Sequence, residues 1–530
     1  MWRSRKILCW ALAASVIGGV GAASAAAQSS PPPIGAYTTV GAWSFRTAPK
    51  LHPPKLSTDA PTRQRKLASG YFLTASFPNI TASGAPMTGQ SGPMILDNQL
   101  RPVWFSPVPT NVVALDLKQQ MFEGKPALSW WQGVISSTGA TVSGTVFVVN
   151  QHYRQVATLS GDTADGWTIS PHDVVIRGDH AWVTAYKYLY NQDLSAYGGA
   201  KSGALYDFAV QEYDLSTGKL LYSWDAFNPG GTPNVPLSDS ETPAPSNSHV
   251  PWDAYHGNSI QLVGSNEFLV SMRNTWAAYL VDITTGHVVW TLGGKTSNPN
   301  DIQPASDAQF QFQHNALLLP NNEVSLFDDH CCAIAGPGKF VPPPAGSHSR
   351  GLLLKLDLSN NTASMVAQYL RSPAVDAAFT GSMQVLPNGN VLVGWGSQPY
   401  FTEFSQSGKT LLDGVWPGLD LSYRVLFTST WVGTPYYPPS GTVRKHAGHS
   451  TVYASWDGAT QIVTWQVLAG TRGHLKVVGT ALKGGFVTAI HLKHAYKAYK
   501  VEALGARGRV LGTSGLFPKP SGSGFSPGNY

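Results

Sequence analysis

The sequence predicts an all-β fold, and three observations support this prediction. Short β-rich runs alternate with turns of Gly, Pro, Asn and Asp, and few segments have the spacing of an amphipathic helix. A two-strand unit recurs through most of the chain. The pattern then changes after residues 438–441, which read Pro-Pro-Ser-Gly. We therefore expect a six-bladed β-propeller followed by a small β-sandwich of fibronectin-like or immunoglobulin-like size.

The recurring unit is a hydrophobic pair, an Asp or Asn, a turn that often contains Thr-Gly, and a strand that ends near Trp. Such a hairpin is expected to form the outer half of a blade. Its six copies begin at Met94, Val146, Gln211, Tyr279, Leu353 and Phe401. Four further hairpins precede outer ones and are expected to form the inner halves of their blades. These inner hairpins begin at Pro171, Tyr255, Gln313 and Ser382.

The N-terminal residues predict export. Arg3, Arg5 and Lys6 precede an apolar run over residues 7–20, and small residues follow up to Ala27. This order is typical of a secretory signal peptide, and the apolar run is shorter than the roughly 20 residues that span a bilayer. We expect cleavage near Ala27, no transmembrane anchor after cleavage, and a secreted protein in the periplasm or the extracellular space.

These segments define the predicted domains. They are a signal peptide (1–27), a Pro-rich N-terminal extension (28–60), the propeller with the active site (61–433), a linker (434–445), the β-sandwich (446–514) and a Gly/Ser/Pro-rich disordered tail (515–530).

The charge distribution argues against a nucleic-acid-binding protein. Removal of the leader lowers the formal net charge from +6 to +3, and no basic helix or stacking motif is present. Residues 444–509 contain ten Lys and Arg but only two acidic residues. This segment is either a solvated face or a contact surface for a polyanion such as a cell wall.

The mature chain keeps two cysteines, the neighbours Cys331 and Cys332. A disulfide between adjacent residues is strained. We expect either a local disulfide that ties the loop together or two unreactive thiols. The alternative is a redox or metal site that includes His330.

Three histidines share one position of the repeat. His172, His256 and His314 each lie near the start of an inner hairpin, and the innermost strands of a propeller line its central channel. Asn258 follows His256 by two residues, so both side chains are expected on one face of the strand. This shared register favours one functional site over three unrelated structural histidines.

Two cations accompany the histidines. Arg273 closes the hairpin that begins with His256, and Lys187 occupies the matching position one blade earlier, where we expect it to bind substrate. Three histidines from three strands can hold a catalytic metal; alternatively, Arg, His and Asn form a pocket for a sulfate-like anion. Because Arg273 disfavours a neighbouring divalent cation and no Asp or Glu repeats beside the histidines, we predict an anion pocket and no metal.

The same residues resemble the bacterial arylsulfate sulfotransferases. The resemblance rests on His256-Gly257-Asn258, on Arg273 at the end of that hairpin, and on Gln313-His314 at the start of the next blade. The segments WDAYHGNSI, FLVSMRN, VDITTGHVVWTLGG and FQFQHNALLLPNNEVSLFDD are similar as well. The two ends of the mature chain resemble the branch in which a small β-domain follows the propeller.

The resemblance implies sulfuryl transfer from a phenolic sulfate ester to a phenolic acceptor, with no nucleotide donor and no cofactor. It implies that His314 is the sulfurylated nucleophile of a ping-pong reaction, with His256 and Arg273 as catalytic partners and with Asn258 and His172 in the substrate pocket. Two other functions remain open: a non-catalytic propeller that binds sulfated or anionic glycans, and a histidine–metal polysaccharide lyase or hydrolase.

Overall fold

The fold is described from a computed structural model of the chain. The structure describes residues 37–59, 64–78, 87–135, 141–160, 166–295, 299–330, 333–336, 339–341, 347–418 and 420–518. The predicted signal peptide, Cys331, Cys332 and the predicted tail beyond residue 518 lie outside these ranges.

Strands make up most of the described residues, and the helical segments among them are six one-turn 3-10 helices. These are Gln64–Lys66, Ser195–Tyr197, Leu237–Asp239, Arg273–Thr275, Pro320–Asn322 and Ala506–Gly508. The prediction of an all-β fold is confirmed. Among the described residues, no helix has the length and apolar character to cross a membrane.

The larger domain contains the first 29 strands of the described chain. They are β1 (Ser57–Thr58), β2 (Tyr71–Phe77), β3 (Gly92–Leu96), β4 (Pro102–Phe105), β5 (Val113–Phe122), β6 (Lys125–Ile135), β7 (Thr141–Asn150), β8 (Gln155–Ser160), β9 (Trp167–Arg177), β10 (His180–Gln192), β11 (Gly203–Asp214), β12 (Leu220–Asp225), β13 (Pro251–Trp252), β14 (Gly257–Val263), β15 (Glu267–Met272), β16 (Ala277–Asp282), β17 (Val288–Gly293), β18 (Gln303–Pro304), β19 (His314–Leu319), β20 (Glu323–Asp328), β21 (Ala333–Gly336), β22 (Lys339–Val341), β23 (Arg350–Asp357), β24 (Thr362–Tyr369), β25 (Ser382–Val385), β26 (Val391–Gly394), β27 (Tyr400–Phe404), β28 (Thr410–Val415) and β29 (Leu421–Thr428).

Six antiparallel sheets of these strands are arranged as blades. From the centre outward, blade 1 is β29-β2-β3-β4, blade 2 is β5-β6-β7-β8, blade 3 is β9-β10-β11-β12, blade 4 is β14-β15-β16-β17, blade 5 is β19-β20-β23-β24 and blade 6 is β25-β26-β27-β28. The short strands β1 and β18 extend blades 6 and 5, and β13 pairs with β11. The two outermost of the four core strands of each blade coincide with one of the six predicted outer hairpins.

The innermost strands contact one another around a closed ring. β5 contacts β29 and β9, β14 contacts β9 and β19, and β25 contacts β19 and β29. β29 pairs with β2 from Tyr71↔Thr428 to Phe77↔Leu421, so the last propeller strand completes the first blade. Large side chains such as Phe208 and Phe268 fill the space between neighbouring blades, and the radial arrangement leaves only short outer strands as sheet edges.

The inner strands are irregular where the predicted site lies. The register shifts between Gly257 and Ser259 in blade 4 and between His314 and Leu317 in blade 5. His256 has φ 53° and Asn315 has φ 55°, a backbone region that non-glycine residues rarely adopt. Such bulges redirect side chains and concentrate beside active sites. Here they interrupt the strict alternation of side-chain faces along the strands, so that the side chains of two successive residues can both point into the channel.

The smaller domain consists of two antiparallel sheets around one core. Its strands are β30 (Ser440–His446), β31 (His449–Ser455), β32 (Thr464–Thr471), β33 (His474–Leu482), β34 (Thr488–Leu492), β35 (Ala498–Leu504) and β36 (Val510–Thr513). The sheets β30-β31-β34 and β33-β32-β35-β36 bury a common set of side chains that includes Val452, Trp465 and Tyr499.

Both predicted limits of this domain require correction. β30 lies in the predicted linker, because its polar and largely exposed sequence lacks a clear apolar alternation. Phe517 lies in the predicted disordered tail, yet it pairs with Tyr499 and is 7% exposed. The domain therefore extends at least from Ser440 to Phe517.

The described part of the N-terminal extension contacts both domains. β1 pairs with β28 at the outer edge of blade 6. Phe45 stacks on Phe486 of the smaller domain at a centroid distance of 4.1 Å, and Ser455 donates a 2.7 Å hydrogen bond to Thr47. The extension is thus part of the packed structure.

Candidate active site

Blades 3, 4 and 5 bring the three predicted histidines into one pocket. His172 lies in β9, His256 immediately precedes β14, and His314 is the first residue of β19. The ring centroids of His172 and His256 are 4.9 Å apart, and the rings meet edge to face at 82°. Arg273 and both other histidines act electrostatically on His314, so these groups share one local environment.

His314 is held at both ring nitrogens. The backbone N–H of Thr380 donates to Nε2 at 3.2 Å. Since an amide N–H can only donate, Nε2 carries the lone pair, and the proton of the neutral ring lies on Nδ1. Nδ1 donates it to Oδ2 of Asp329 at 2.7 Å. The contacts therefore select one tautomer of His314.

The electrostatics keep His314 neutral. Burial lowers its pKa well below the ordinary value, and the positive charge of Arg273 lowers it further. Burial raises the pKa of Asp329 well above its usual range, and Arg273 opposes this effect. A neutral imidazole with its lone pair on Nε2 is a competent nucleophile, and a carboxyl group of raised pKa beside Nδ1 is suited to take up the Nδ1 proton.

Arg273 has unused hydrogen-bonding capacity beside His314. The residue follows β15 directly and begins a 3-10 helix, where its guanidinium donates to the carbonyl of Ala378 at 2.7 Å and to Asn274 Oδ1 at 3.1 Å. The guanidinium carbon lies 4.4 Å from the ring centroid of Phe312. Nε is buried and has no partner among the described residues, and the same holds for the hydroxyl of Thr380. Two buried donors without acceptors indicate a site for an anionic ligand.

His172 and His256 differ in their surroundings. Nδ1 of His256 contacts Oδ2 of Asp253 at 2.5 Å. Nδ1 of His172 contacts the hydroxyls of Ser170 at 2.5 Å and of Tyr186 at 3.3 Å. Burial lowers the pKa of His172 well below its ordinary value, and the charges of His256, Arg424 and Arg273 add to the effect. His172 is thus a neutral hydrogen-bonding residue, whereas His256 is coupled to a carboxylate.

Asn258 braces His314, and its predicted role in substrate binding stays a prediction. The side chain is fully buried. Its Nδ2 donates to the carbonyl of Gln313 at 2.8 Å, and its Oδ1 accepts from the N–H of Asn315 at 3.3 Å. The amide thus holds the two residues that flank His314, and it is a positioning residue.

Lys187 lies outside the pocket, and its predicted role was wrong. Successive residues of β10 point to opposite faces, so Tyr186 contacts His172 while Lys187 faces away. The ammonium lies 5.8 Å from the ring centroid of Trp167, and its charge acts on the buried Asp207, whose pKa burial raises to about 7. The alignment of the hairpins matched Lys187 to Arg273, but the residue of β10 that contacts the histidine pocket is its neighbour Tyr186.

A buried charge network adjoins the histidines. The guanidinium of Arg424, on the ring-closing strand β29, contacts Asp116 at 2.9 Å and Asp173 at 3.3 Å, and it donates to the carbonyl of Asn258 at 2.7 Å. Lys118 contacts Asp116 at 2.9 Å and also Asp173. Two cations balance two carboxylates, so the network links blades 1, 2, 3 and 4 without a net charge.

Sequence reasoning missed three site residues, Asp253, Asp329 and Thr380. Asp253 and Asp329 stand beside His256 and His314, although no acidic residue repeats next to the histidines in sequence. Asp329 follows β20, whose Phe327 is the register partner of His314, and this pairing was the available signal. Asp253 precedes His256 by three residues in WDAYH. Thr380 lies in a loop before β25 and carries no sequence signal.

The geometry supplies no metal ligand set in the described part of the chain. No three His, Cys, Asp or Glu side chains there lie close enough together to hold a metal ion. The carboxylates instead engage single histidines through Nδ1. This pattern suits acid–base or nucleophilic use of the imidazoles.

The fold and the site define an all-β protein in which histidine and arginine side chains meet in a pocket at the axis of a ring of blades. Residues 118–416 match the sequence model of the family described as arylsulfotransferase (ASST). This match covers more than half of the chain, and the chain belongs to the arylsulfotransferase family. The membership supports aryl sulfotransferase activity, with phenolic sulfates as donors and phenols as acceptors.

A search of the curated proteins found no match. Among solved structures, a Bacteroides caccae protein of unknown function is similar with 11% identity and a TM-score of 0.38, over 68% of this chain and 100% of the other. Hydrazine synthase of Kuenenia stuttgartiensis is 11% identical with a TM-score of 0.29, over 61% and 73%. A GH43 protein of Bacillus licheniformis is 8% identical with a TM-score of 0.29, over 75% and 88%.

Proposed function

We propose that the protein moves a sulfuryl group from a phenolic sulfate ester to a phenolic acceptor in two steps, through a sulfohistidine at His314 and without a nucleotide. The observation that carries the proposal is the pair of buried, unpartnered donors, Arg273 Nε and Thr380 Oγ1, beside a neutral histidine of fixed tautomer. A sulfuryl group presents three oxygens that such donors can bind.

In the first step Nε2 of His314 releases the hydrogen bond that it accepts from the N–H of Thr380 and attacks sulfur with the freed lone pair. The N–S bond forms, the S–O bond to the donor phenol breaks, and the phenolate takes the electron pair of that bond. The ring becomes positively charged, and Asp329 accepts or shares the Nδ1 proton. Arg273 and Thr380 hold the sulfuryl oxygens, which meets the main demand of a loose transition state, namely positioning and charge stabilisation.

In the second step an acceptor phenol attacks the same sulfur atom. The new S–O bond forms, the N–S bond breaks, Nε2 regains its lone pair, and Asp329 returns the proton to Nδ1. The acceptor loses its phenolic proton, and the departing donor phenolate of the first step gains one. We assign this proton transfer to His256, because its Nδ1 contact with Asp253 leaves Nε2 to face the substrate. His172 remains neutral and serves as a hydrogen-bonding partner.

The test is release of nitrophenol from para-nitrophenyl sulfate, with and without added phenol, and in the presence of a chelator. The parent is compared with His314→Ala and with His180→Ala, which removes a histidine of a partly exposed His–Glu pair at the turn between β9 and β10. We expect phenol-dependent release in the parent and in His180→Ala, insensitivity to the chelator, and loss of release in His314→Ala. Binding of sulfate esters without turnover would instead indicate a non-catalytic anion-binding propeller, and loss of release on chelation would indicate a metal-dependent enzyme.

The proposed activity belongs outside the cytoplasm. We base this on the basic and apolar N-terminal residues, and N-terminal sequencing of the secreted protein tests the expected start near residue 28.

A further inference from the structure

One face of β10 carries three tyrosines in a row. Tyr186, Tyr188 and Tyr190 alternate with Lys187 and Leu189, so their rings share a face of the strand. Tyr186 contacts the histidine pocket, whereas Tyr188 and Tyr190 are 48% and 67% exposed. The row therefore runs from the pocket to the surface.

A fourth ring completes the row. Tyr206 of β11 is the register partner of Tyr188, and their ring centroids are 4.3 Å apart. The centroid of Tyr206 lies 6.2 Å from that of Tyr186, and the centroid of Tyr190 lies 6.2 Å from that of Tyr188 at an interplanar angle of 10°. These spacings fall within the range over which aromatic rings attract one another. We call Tyr186, Tyr206, Tyr188 and Tyr190 the tyrosine row.

The outer part of the row projects beyond the neighbouring strand of its blade. β9 begins at Trp167, which pairs with Lys187. Beyond that point the described pairing of β10 is to β11 alone, through Tyr188↔Tyr206 and Leu189↔Leu205. The two exposed rings thus stand on an extension of blade 3 that consists of β10, β11 and the short strand β13, which pairs with β11 at Ala204 and Leu205.

The inner end of the row is part of the active-site environment. The hydroxyl of Tyr186 is 3.3 Å from Nδ1 of His172, and its ring centroid is 6.3 Å from that of His256. The carboxylate of Asp253, which contacts His256, also acts on the hydroxyls of Tyr186 and Tyr206. A ligand whose reacting oxygen reaches the histidines therefore has aromatic surface beside the rest of its body.

Exposed aromatic rings in a continuous row require an explanation. Single exposed apolar side chains are ordinary, but contiguous ones indicate a binding surface. Tyr188 and Tyr206 hydrogen bond through their hydroxyls, which fixes the pair and presents ring surface rather than polar groups. Flat, rigid aromatic surface next to a polar pocket suits a flat aromatic ligand.

We propose that the tyrosine row is a subsite for the distal rings of a multi-ring phenol, which extends the pocket into a specificity site for large phenolic acceptors. The proposal rests on the proposed function, because it places the acceptor hydroxyl at His314. The first ring lies against Tyr186, and further rings stack along Tyr206, Tyr188 and Tyr190.

The activity test compares two acceptors, phenol and para-phenylphenol, with para-nitrophenyl sulfate as the donor. In Tyr206→Ala and Tyr188→Ala we expect kcat/KM for para-phenylphenol, relative to that for phenol, to fall about fivefold or more, mainly through KM, because the second ring of the acceptor loses an aromatic contact. Tyr436→Ala, which removes a ring that is 49% exposed on another part of the surface, is expected to keep the parent ratio. An unchanged ratio in both row variants would overturn the proposal.

A binding test separates this proposal from the catalytic one. Titration calorimetry measures para-phenylphenol binding to the His314→Ala protein, in which sulfuryl transfer through that residue is absent. We expect binding that weakens on addition of Tyr188→Ala and persists on addition of Tyr436→Ala. If transfer fails in the parent but this binding pattern holds, the proposed function is wrong and the subsite stands; equal binding in all three proteins overturns the subsite.

Discussion

His314 depends on partners that come from different parts of the chain. Asp329 follows the neighbouring strand of the same blade, Thr380 precedes the first strand of blade 6, and Asn258 belongs to blade 4. Together they fix the position, tautomer and protonation state of one imidazole. A histidine held in this way reacts once the Thr380 N–H releases Nε2, while the ring itself stays in place.

The role of Asp329 can be tested by Asp329→Asn. The amide has nearly the same size as the carboxylate, and its oxygen can still accept a hydrogen bond from Nδ1. It cannot neutralise the positive charge of the sulfurylated ring. We expect kcat for sulfuryl transfer to fall by about a hundredfold or more, with a smaller change in KM. The control is Glu212→Gln, which alters a partly exposed pair of a histidine and a carboxylate of similar length, 2.9 Å, at His180. Equal activity of both variants would show that the carboxylate at His314 is not needed.

The histidines and Arg273 could be predicted because repeat register places them on one part of each blade. Asp329, Asp253 and Thr380 could not be predicted in this way, because they reach the histidines through strand pairs and loops that are not part of the repeat. Lys187 shows the opposite failure. A shift of one residue in a strand reverses the face of every side chain, and the hairpin alignment did not resolve that single residue.

At the level of elements, β29 closes the ring of blades and also holds the inner strands that line the channel. Its Arg424 reaches carboxylates on β5 and β9 and the backbone of β14. One side chain thus links four blades directly beside Asn258, which in turn braces His314. The positions of the inner strands around the site are coupled to ring closure through this contact.

Arg424→Ala should therefore destabilise the protein strongly. It leaves Asp116 and Asp173 buried with Lys118 as their remaining cation, and breaking a buried ion pair costs about 3–5 kcal/mol. The matched variant Arg101→Ala removes a partly exposed pair with Asp97, and its cost should be closer to the value of about 0–1 kcal/mol for surface pairs. Chemical denaturation monitored by tryptophan fluorescence measures both. Similar losses in the two variants would contradict the anchoring role.

The outer hairpins were predictable because each repeats a hydrophobic pair, a turn and a Trp-terminated strand. The inner strands of blades 1 and 2 were not, because blade 1 takes β29 from residues 421–428, far from β2 in sequence. Long-range pairing of this kind has no local signature. The start of the smaller domain was misplaced for a related reason, since β30 is a polar edge strand that gains its order from β31.

At the level of the whole molecule, the smaller domain is fixed to blades 1 and 2. The hydroxyl of Tyr153 donates to the carbonyl of Gly458 at 2.7 Å and accepts from Nε1 of Trp431 at 3.0 Å. The N–H of Phe105 donates to Asp457 at 3.2 Å. Burial at this contact raises the pKa of Asp457 to about 8.

This contact predicts a pH-dependent stability. The folded protein retains the proton of Asp457 up to about pH 8, whereas the unfolded chain releases it near the ordinary value of 3.8. The contribution of Asp457 to stability is therefore present at low pH and is lost as pH rises between these values. Asp457→Asn cannot ionise, so its melting temperature should exceed that of the parent by a margin that grows from pH 4 to pH 9. A margin that stays constant or shrinks in calorimetry would contradict this account.

The central claim is that His314 carries the sulfuryl group between donor and acceptor. The most direct measurement is mass spectrometry of the protein after it has reacted with para-nitrophenyl sulfate in the absence of a phenol and has been quenched at alkaline pH. We predict a mass gain of one SO3 on the peptide that contains His314, loss of this gain when phenol is added, and no gain in His314→Ala. Turnover without any trapped SO3, or SO3 on His172 or His256 instead, would contradict the claim.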